Sequence, residues 1–401
     1  MTETTHTQAA LSASANFLFG PAHERTPPSS TTPLPPLGPL AVFTGNWKGL
    51  GFNTIFRPNS SSTPTKLPVP AVGPSDNILE LNLTQETLSF SAALGTVPNR
   101  GFTSQADVFL NGVPYLQTVN DVTGDSPIGI HFEPGMWVAV PSTTNPSVPA
   151  QTFARMASIP HGTTIIAQGI AAAIEGPPPI GVLSITPFQG GNPASRIPFL
   201  SQQVANTNTF RLPQNLTGIP ISQAMLTDPN TVLRNQIAHQ TITETQTLFI
   251  STNPASPIVD GPIASAIHLL PNFAGGTSNI AFLQTIPTPP PSGQGPNSQS
   301  FQVDAVFWIE TVVYQVHVPA LSPGQSSRVL APVPASPPTP LVPSFVATVP
   351  YGAAPFPGGV VNVTTKQIQY SQMVLLNFNG LSWPHVSVAS LVPTDPIAIT
   401  L

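Results

Sequence analysis

The chain has 401 residues, of which 52 are proline, none is cysteine and only 7% carry a charge. Proline breaks helices and ordinary proteins are about 25% charged, so this composition excludes a helical bundle and a disordered polyelectrolyte. With 11 Lys and Arg residues against 16 Asp and Glu, the chain has no cationic surface for nucleic acid, and the absence of cysteine excludes disulfides and thiolate sites.

The N-terminal part predicts a flexible arm. Residues 1–38 end in RTPPSSTTPLPPLGP, which can form neither a helix nor a central strand. The first twenty residues have no basic n-region and no clean apolar h-region, and no stretch approaches the roughly 18 apolar residues of a membrane span. We therefore expect no export signal and no membrane span, and a cytoplasmic protein by default.

Short apolar alternations between Pro, Gly and Asn turns follow from Leu40 onward. Period-two alternation with β-branched and aromatic residues predicts strands, and their spacing predicts a barrel or a sandwich. The predicted strand segments are 43–58, 77–92, 129–141, 163–174, 246–252, 302–318 and 369–392. The only predicted helix covers 228–240, with Asp228 as its N-cap and Pro229 at its first position.

The first strand segment contains GNWKGLG (45–51), which places a tryptophan among glycines. Gly-x-Trp on a first strand resembles the calycin superfamily, which includes lipocalins and fatty-acid-binding proteins, and Gly-x-Trp-x-Gly-x-Gly resembles its nitrobindin branch. In such barrels the tryptophan packs across the closed end and the glycines let the strand bend. We therefore expect Trp47 to close one end of a barrel.

Further motifs follow in the order of that family. IHFEPGMWVAVP resembles its His-x-Glu-x-Gly-aromatic element, with His131 and Glu133 at the matching positions, and QYSQMVLLNFNGLSWPHVSVASL resembles its last two strands. The matching parts are 40–175 and 365–392, and the block 176–365 is inserted between them. We predict that residues 39–401 form a single all-β domain, a calycin-like antiparallel β-barrel enlarged by an inserted block of extra strands and one short helix.

The resemblance implies a ten-strand barrel that binds b-type haem through one histidine of its final strand. It assigns this axial, metal-binding role to His385 and leaves an apolar distal side for a gaseous or reactive-nitrogen ligand. His268 and His317, which lie on apolar strands, are the alternative iron ligands. Aromatic residues at strand spacing are candidates to line the cofactor cavity, although they usually form core; they include Trp47, Trp137 and Trp383.

Acid–base candidates are few in this sequence. His131 and Glu133 are two residues apart and should share a strand face, so they could act as a general base, orient a ligand-binding group, or form an ordinary ion pair. Glu310 stands among apolar neighbours in FWIETV, and its pKa should rise if it faces inward. No hydrolase or nucleotide-binding motif is present, so we expect a binding protein; any catalysis would be haem-dependent isomerase or peroxidase-like chemistry.

Three hypotheses about function follow from the sequence, and the one ranked last is a cofactor-independent enzyme of the cavity that uses His131, Glu133 or Glu310. The first is a barrel that binds haem, or else another hydrophobic small molecule, in its cavity. The second is a non-catalytic structural barrel with a filled interior. Low charge, Pro-rich loops and the long insertion suit such a barrel, which would pack against copies of itself as a homo-oligomer.

Overall fold

The computed structural model describes residues 36–95, 97–144, 147–148, 152–190, 192–254, 256–258, 276–279, 298–333 and 339–401. Ten strands of this part form a closed antiparallel barrel, in which each strand pairs with its neighbours in sequence and the last pairs with the first. In chain order they are β1 (Gly45–Pro58), β2 (Asn77–Phe90), β3 (Val108–Asp121), β4 (Ile128–Val140), β5 (Thr152–Ser158), β6 (Thr163–Glu175), β7 (Thr241–Ser251), β8 (Gln299–Val318), β9 (Gly359–Phe378) and β10 (Leu381–Pro393). The predicted all-β antiparallel barrel is confirmed.

The block 176–365 takes part in the ring itself. It contributes all of β7 and β8, so the ring reaches ten strands only with its help. It also carries two helices, α1 (Gln223–Thr227) and α2 (Thr231–Ile237). Neither helix of the described chain has the length and hydropathy of a membrane span.

The helix predicted at 228–240 is present, but its predicted boundaries were wrong. Asn230, not Asp228, is the N-cap of α2, and Asp228 instead accepts a hydrogen bond from the backbone N–H of Leu183 at 2.9 Å. The helix α1 was not predicted; it begins after Ser222, whose hydroxyl accepts from the N–H of Met225 at 3.3 Å. The helical region is therefore split in two, because Asp228 holds the loop between the helices.

The remaining elements lie outside the ring. Two 3-10 turns cover Gly38–Val42 and Leu200–Gln202, and the short strands are Val97–Asn99, Thr143–Thr144, Ser147–Val148, Phe188–Gln189, Arg211–Leu212, Gly276–Asn279, Ser326–Leu330, Ser344–Thr348 and Ile397–Thr400. The last three form a separate sheet. Its apolar side chains pack against the extended ends of β8 and β9, so these two long strands support a second layer.

A hydrophobic cluster on the outside of the barrel wall, which we call the outer core, joins the ring to the segment 176–240. Phe52 and Leu81 on the outer faces of β1 and β2 pack together with Leu226 and Leu233 from the helices, and all four are buried. Because strand side chains alternate between faces, the opposite side chains of β1, β2, β9 and β10 point into the barrel. Polar residues fill many of those inward positions.

The closed end of the barrel is filled by an aromatic layer. Phe43 stacks on Phe90 with ring centroids 4.7 Å apart, and Trp137 meets Phe307 edge-on at 5.2 Å. Trp47 belongs to the same buried cluster, and its indole N–H donates to the carbonyl oxygen of Thr44 at 2.9 Å. The tryptophan between glycines therefore packs in the closed half of the barrel.

Two glycines of the GNWKGLG segment sit where β1 meets β10. A Cβ on Gly49 would lie 2.0 Å from the carbonyl oxygen of Ser390, and one on Gly51 would lie 2.2 Å from that of Val388. Atoms at these distances overlap, and the obstructing atoms belong to the backbone. The seam that closes the ring therefore requires glycine at both positions.

Replacing Gly49 with alanine is expected to lower the free energy of unfolding by about 1–3 kcal/mol, because β1 and β10 must move apart at their seam. Chemical denaturation would measure the loss. Gly129→Ala on β4 is the matched control, since the added Cβ would meet its nearest atom at an ordinary 3.6 Å. Equal stability of the two variants would contradict the proposed close approach.

Candidate functional site

A cavity of about 790 Å³ occupies the open half of the barrel. The described residues that line it come mainly from β1 to β4, β9 and β10, together with the turn 159–163 between β5 and β6. Pockets of roughly 300–1,000 Å³ are typical of small-molecule sites. Three histidines that the sequence separates widely, His131, His161 and His385, all lie on this cavity.

His385 on β10 faces the cavity and is held by a neighbouring amide. The Nδ2 of Asn53 on β1 lies 2.8 Å from His385 Nε2 and 2.8 Å from the hydroxyl of Ser387, and its Oδ1 accepts from Asn82 at 3.1 Å. Because an amide nitrogen can only donate, His385 Nε2 is the acceptor and its proton sits on Nδ1. This is the tautomer in which Nε2 presents a lone pair.

The charge state of His385 follows from its surroundings. Burial lowers its pKa to about 3, and the nearby imidazoles of His131 and His161 act in the same direction. The side chain is enclosed by the barrel and is accessible only in part. At neutral pH His385 is therefore an uncharged imidazole on the cavity wall, the form that binds a metal.

A buried polar cluster on β3, β4 and β5 lies inside the barrel, between the cavity and the aromatic layer. His131 Nε2 lies 3.1 Å from Glu133 Oε2, and the Glu133 carboxylate also accepts from the hydroxyl of Tyr115 and from Arg155 at 2.5 Å. The guanidinium of Arg155 bonds in addition to Gln372 at 2.8 Å. As expected from their spacing, His131 and Glu133 share a strand face, and Arg155 supplies the counter-charge.

The pKa of Glu133 reflects two opposing effects. Burial raises it, but the positive charge of Arg155 and the hydrogen bonds from His131 and Tyr115 outweigh burial and lower the pKa to about 2. Glu133 is therefore ionised at neutral pH. A carboxylate this acidic is itself a poor general base, and its hydrogen bond with His131 fixes that imidazole on the cavity wall.

The inner end of the cavity is formed by Glu86, Gln117 and Tyr370, which we call the cavity floor. Tyr370 donates to Glu86 Oε2 at 2.5 Å, Thr84 donates to Oε1 at 2.9 Å, and the Gln117 amide lies 3.3 Å from Oε2. Burial nevertheless raises the pKa of Glu86, because these hydrogen bonds only partly compensate the lost hydration. Glu86 is 1% exposed and forms no ion pair with a described residue.

The three tryptophans proposed for the cofactor site lie elsewhere. Trp47 and Trp137 belong to the aromatic layer of the closed half. Trp383 stacks on Phe378 at 4.4 Å within the outer core. None of the three is among the residues that line the cavity, because the aromatic positions of these strands are used for packing.

Glu310 is buried outside the barrel wall, on the side that faces the end of α2. Its Oε2 accepts from the amide of Gln367 at 2.6 Å, and Gln367 in turn bonds to Gln240 at 3.0 Å just after α2. Burial raises the pKa of Glu310 to about 8, although the hydrogen bond from Gln367 acts to lower it. The predicted rise is therefore present, yet Glu310 does not line the cavity.

The alternative iron ligands do not join His385. His317 is exposed on the far part of β8, where it pairs with Val360, and His268 lies outside the described residues. Among the described residues, no group of three or more His, Asp or Glu side chains is arranged to hold a metal ion.

Sequence reasoning missed much of the site, above all Asn53, Glu86, Gln117 and Arg155. The signal for Glu86 was present, because LELNLTQETLSF (79–90) alternates leucine with polar residues. Arg155 carried no comparable signal, since its partner Glu133 lies on another strand. Comparison of the chain with protein-family models, with curated proteins and with solved structures finds no match.

Proposed function

We propose that the protein binds a hydrophobic small molecule in the open half of its barrel, with haem b as the first candidate and His385 as its axial ligand. The observation that carries this proposal is a neutral histidine facing a ligand-sized cavity. The nitrobindin-like motifs of the sequence support the same choice of histidine.

The residues fit a haem in three respects. The cavity volume suits a flat cofactor, the lining includes the apolar Ile55, Val374 and Leu376 beside the polar residues around His385, and His385 is uncharged above about pH 3. Binding would require one change, in which the iron replaces the amide of Asn53 at Nε2.

When bound, haem would supply an iron that can take a gaseous or reactive-nitrogen ligand. The protein's own contribution would be positional. His385 would hold the cofactor once the Asn53 amide had left Nε2, and the apolar residues beside it would exclude water from the bound face.

The alternative of a structural, self-associating barrel with a filled interior suits only the closed half. That half is packed by the aromatic layer, whereas the open half keeps a cavity of about 790 Å³. Proteins do not usually maintain voids of this size in a packed core. The cavity therefore favours binding over a purely structural role.

Titration with haemin, followed by absorption, tests the proposal. Wild-type protein should give a sharp Soret band at about one equivalent, and His385→Ala should lose the band or bind at least about tenfold more weakly. His317→Ala is the matched control, because His317 is exposed and does not line the cavity, and it should bind haemin like wild type. No band with excess haemin, or an unchanged band in His385→Ala, would sink the haem assignment.

A further inference from the structure

The charges around the cavity are of one sign. Its described lining includes the carboxylates of Glu80, Glu86 and Asp121, and no lysine or arginine. Glu80 is neutralised by Arg57, whose Nε lies 2.5 Å from its Oε1. The described lining therefore offers no lysine or arginine to an anionic ligand.

Arg155 contacts the cavity lining through Gln372, but its guanidinium is already paired. Its guanidinium bonds to Glu133, Tyr115 and Gln372, and its side chain is only 2% exposed. It packs at about 5.5 Å over the rings of Trp137 and Phe307. A ligand carboxylate would have to break the buried ion pair with Glu133 to reach Arg155. Arg155 is therefore not free to bind the carboxylate of a fatty acid.

Glu86 is in the opposite situation. It is a desolvated carboxylate at the inner end of the cavity, with three neutral hydrogen-bond donors and no ion pair among the described residues. Removing a carboxylate from water costs several kcal/mol unless a positive charge compensates it. Tyr370, which donates to Glu86, adds an aromatic ring with an electron-rich face.

From these observations, we propose that the cavity accepts a molecule with a protonated amine on an apolar body, and that the amine is placed against Glu86 and Tyr370 at the cavity floor. The proposal rests on small-molecule binding in the cavity but not on haem. Along β1, the position paired with Glu86 is Gly49, and Asn53, which contacts His385, lies four residues further. At about 3.3 Å per residue this is roughly 13 Å of strand, so the amine and the histidine would occupy different ends of the same cavity.

Calorimetric titration with three probes of matched length tests the charge preference at pH 8: decylamine, decanol and decanoate. Decylamine should bind at least about tenfold more tightly than decanol, and decanoate should bind more weakly than either. In Glu86→Gln, which keeps the shape and the hydrogen bonding of the side chain, decylamine should fall to the affinity of decanol while decanol is unchanged. Glu80→Gln is the matched control at the outer end, and it should retain the preference for the amine.

The outcomes separate this proposal from the haem assignment. Equal binding of decylamine and decanoate, or an amine preference that survives Glu86→Gln, would overturn the role of Glu86. Haemin binding through His385 without any amine preference would overturn this proposal alone. Failure of all three probes and of haemin would overturn both proposals, and the cavity would then have no small-molecule role.

Discussion

Replacing Arg155 with methionine is expected to destabilise the protein by about 3–5 kcal/mol, the largest loss of any substitution considered for the polar cluster. Methionine keeps much of the volume and contact with the aromatic rings but removes the charge. Glu133 would then remain ionised inside the barrel with only neutral donors and His131 beside it. Urea denaturation at pH 7 would measure the change.

A second substitution separates the charge from the packing. If the loss comes from an uncompensated carboxylate, adding Glu133→Gln to Arg155→Met should restore most of the stability, because the double variant buries no net charge. The sum of the unfolding free energies lost by the two single variants would then greatly exceed the loss in the double variant. Simple additivity of the two losses would show that Arg155 stabilises the barrel through packing alone.

The same pair should be sensitive to acid. Because the pKa of Glu133 is lowered to about 2 from an ordinary value of 4.5, its contribution to stability is present above about pH 4.5 and is lost as the pH falls toward 2. Acid unfolding of the wild-type protein should therefore steepen in this interval. The Arg155→Met/Glu133→Gln variant should lack that part of the pH dependence.

Glu310→Gln is expected to stabilise the protein at alkaline pH. The pKa of Glu310 is raised to about 8, so the native state holds a proton that the unfolded state releases near pH 4.5. Its contribution is complete below pH 4.5 and is lost as the pH rises through 8, a change of about 3–5 kcal/mol. At pH 9 the variant should exceed the wild type by about that amount, and at pH 4.5 the two should be similar.

Denaturant unfolding at pH 5, 7 and 9 would measure this effect. The matched control is Glu244→Gln on β7, whose side chain is 58% exposed, and it should change stability by less than about 0.5 kcal/mol at each pH. If the wild type and Glu310→Gln lost stability in parallel between pH 5 and pH 9, Glu310 would not be the group responsible.

The ring strands were predictable because their signal is local. The segments 77–92 and 163–174 coincide closely with β2 (Asn77–Phe90) and β6 (Thr163–Glu175), since alternation and turn residues report a half-buried strand whatever its partners. The order of the ring also follows from the chain, because each strand pairs with the next. Two ring strands, β3 (Val108–Asp121) and the seven-residue β5 (Thr152–Ser158), lie in none of the strand segments predicted from alternation.

The site was less predictable because alternation does not say which face is inside. In β2 the apolar residues Leu79, Leu81 and Leu83 face the outer core, and the polar residues face the cavity. This inversion of the usual pattern depends on the segment 176–240, which buries the outer face and lies a hundred residues away in the sequence. A reader who does not know that the segment 176–240 covers the outer face expects the leucines to point into the barrel. Glu86 is then expected on the solvent-exposed face.

Closure of the ring by β1 and β10 has a consequence for how the protein is made. Asn53 and His385 meet only when the first strand pairs with the last, so a chain still lacking β10 has neither the seam nor a complete wall around the cavity. Once β9 is made and until β10 follows, such a nascent chain would expose two open sheet edges, on β1 and β9. A ligand of the cavity would therefore stabilise only a chain that has closed its ring.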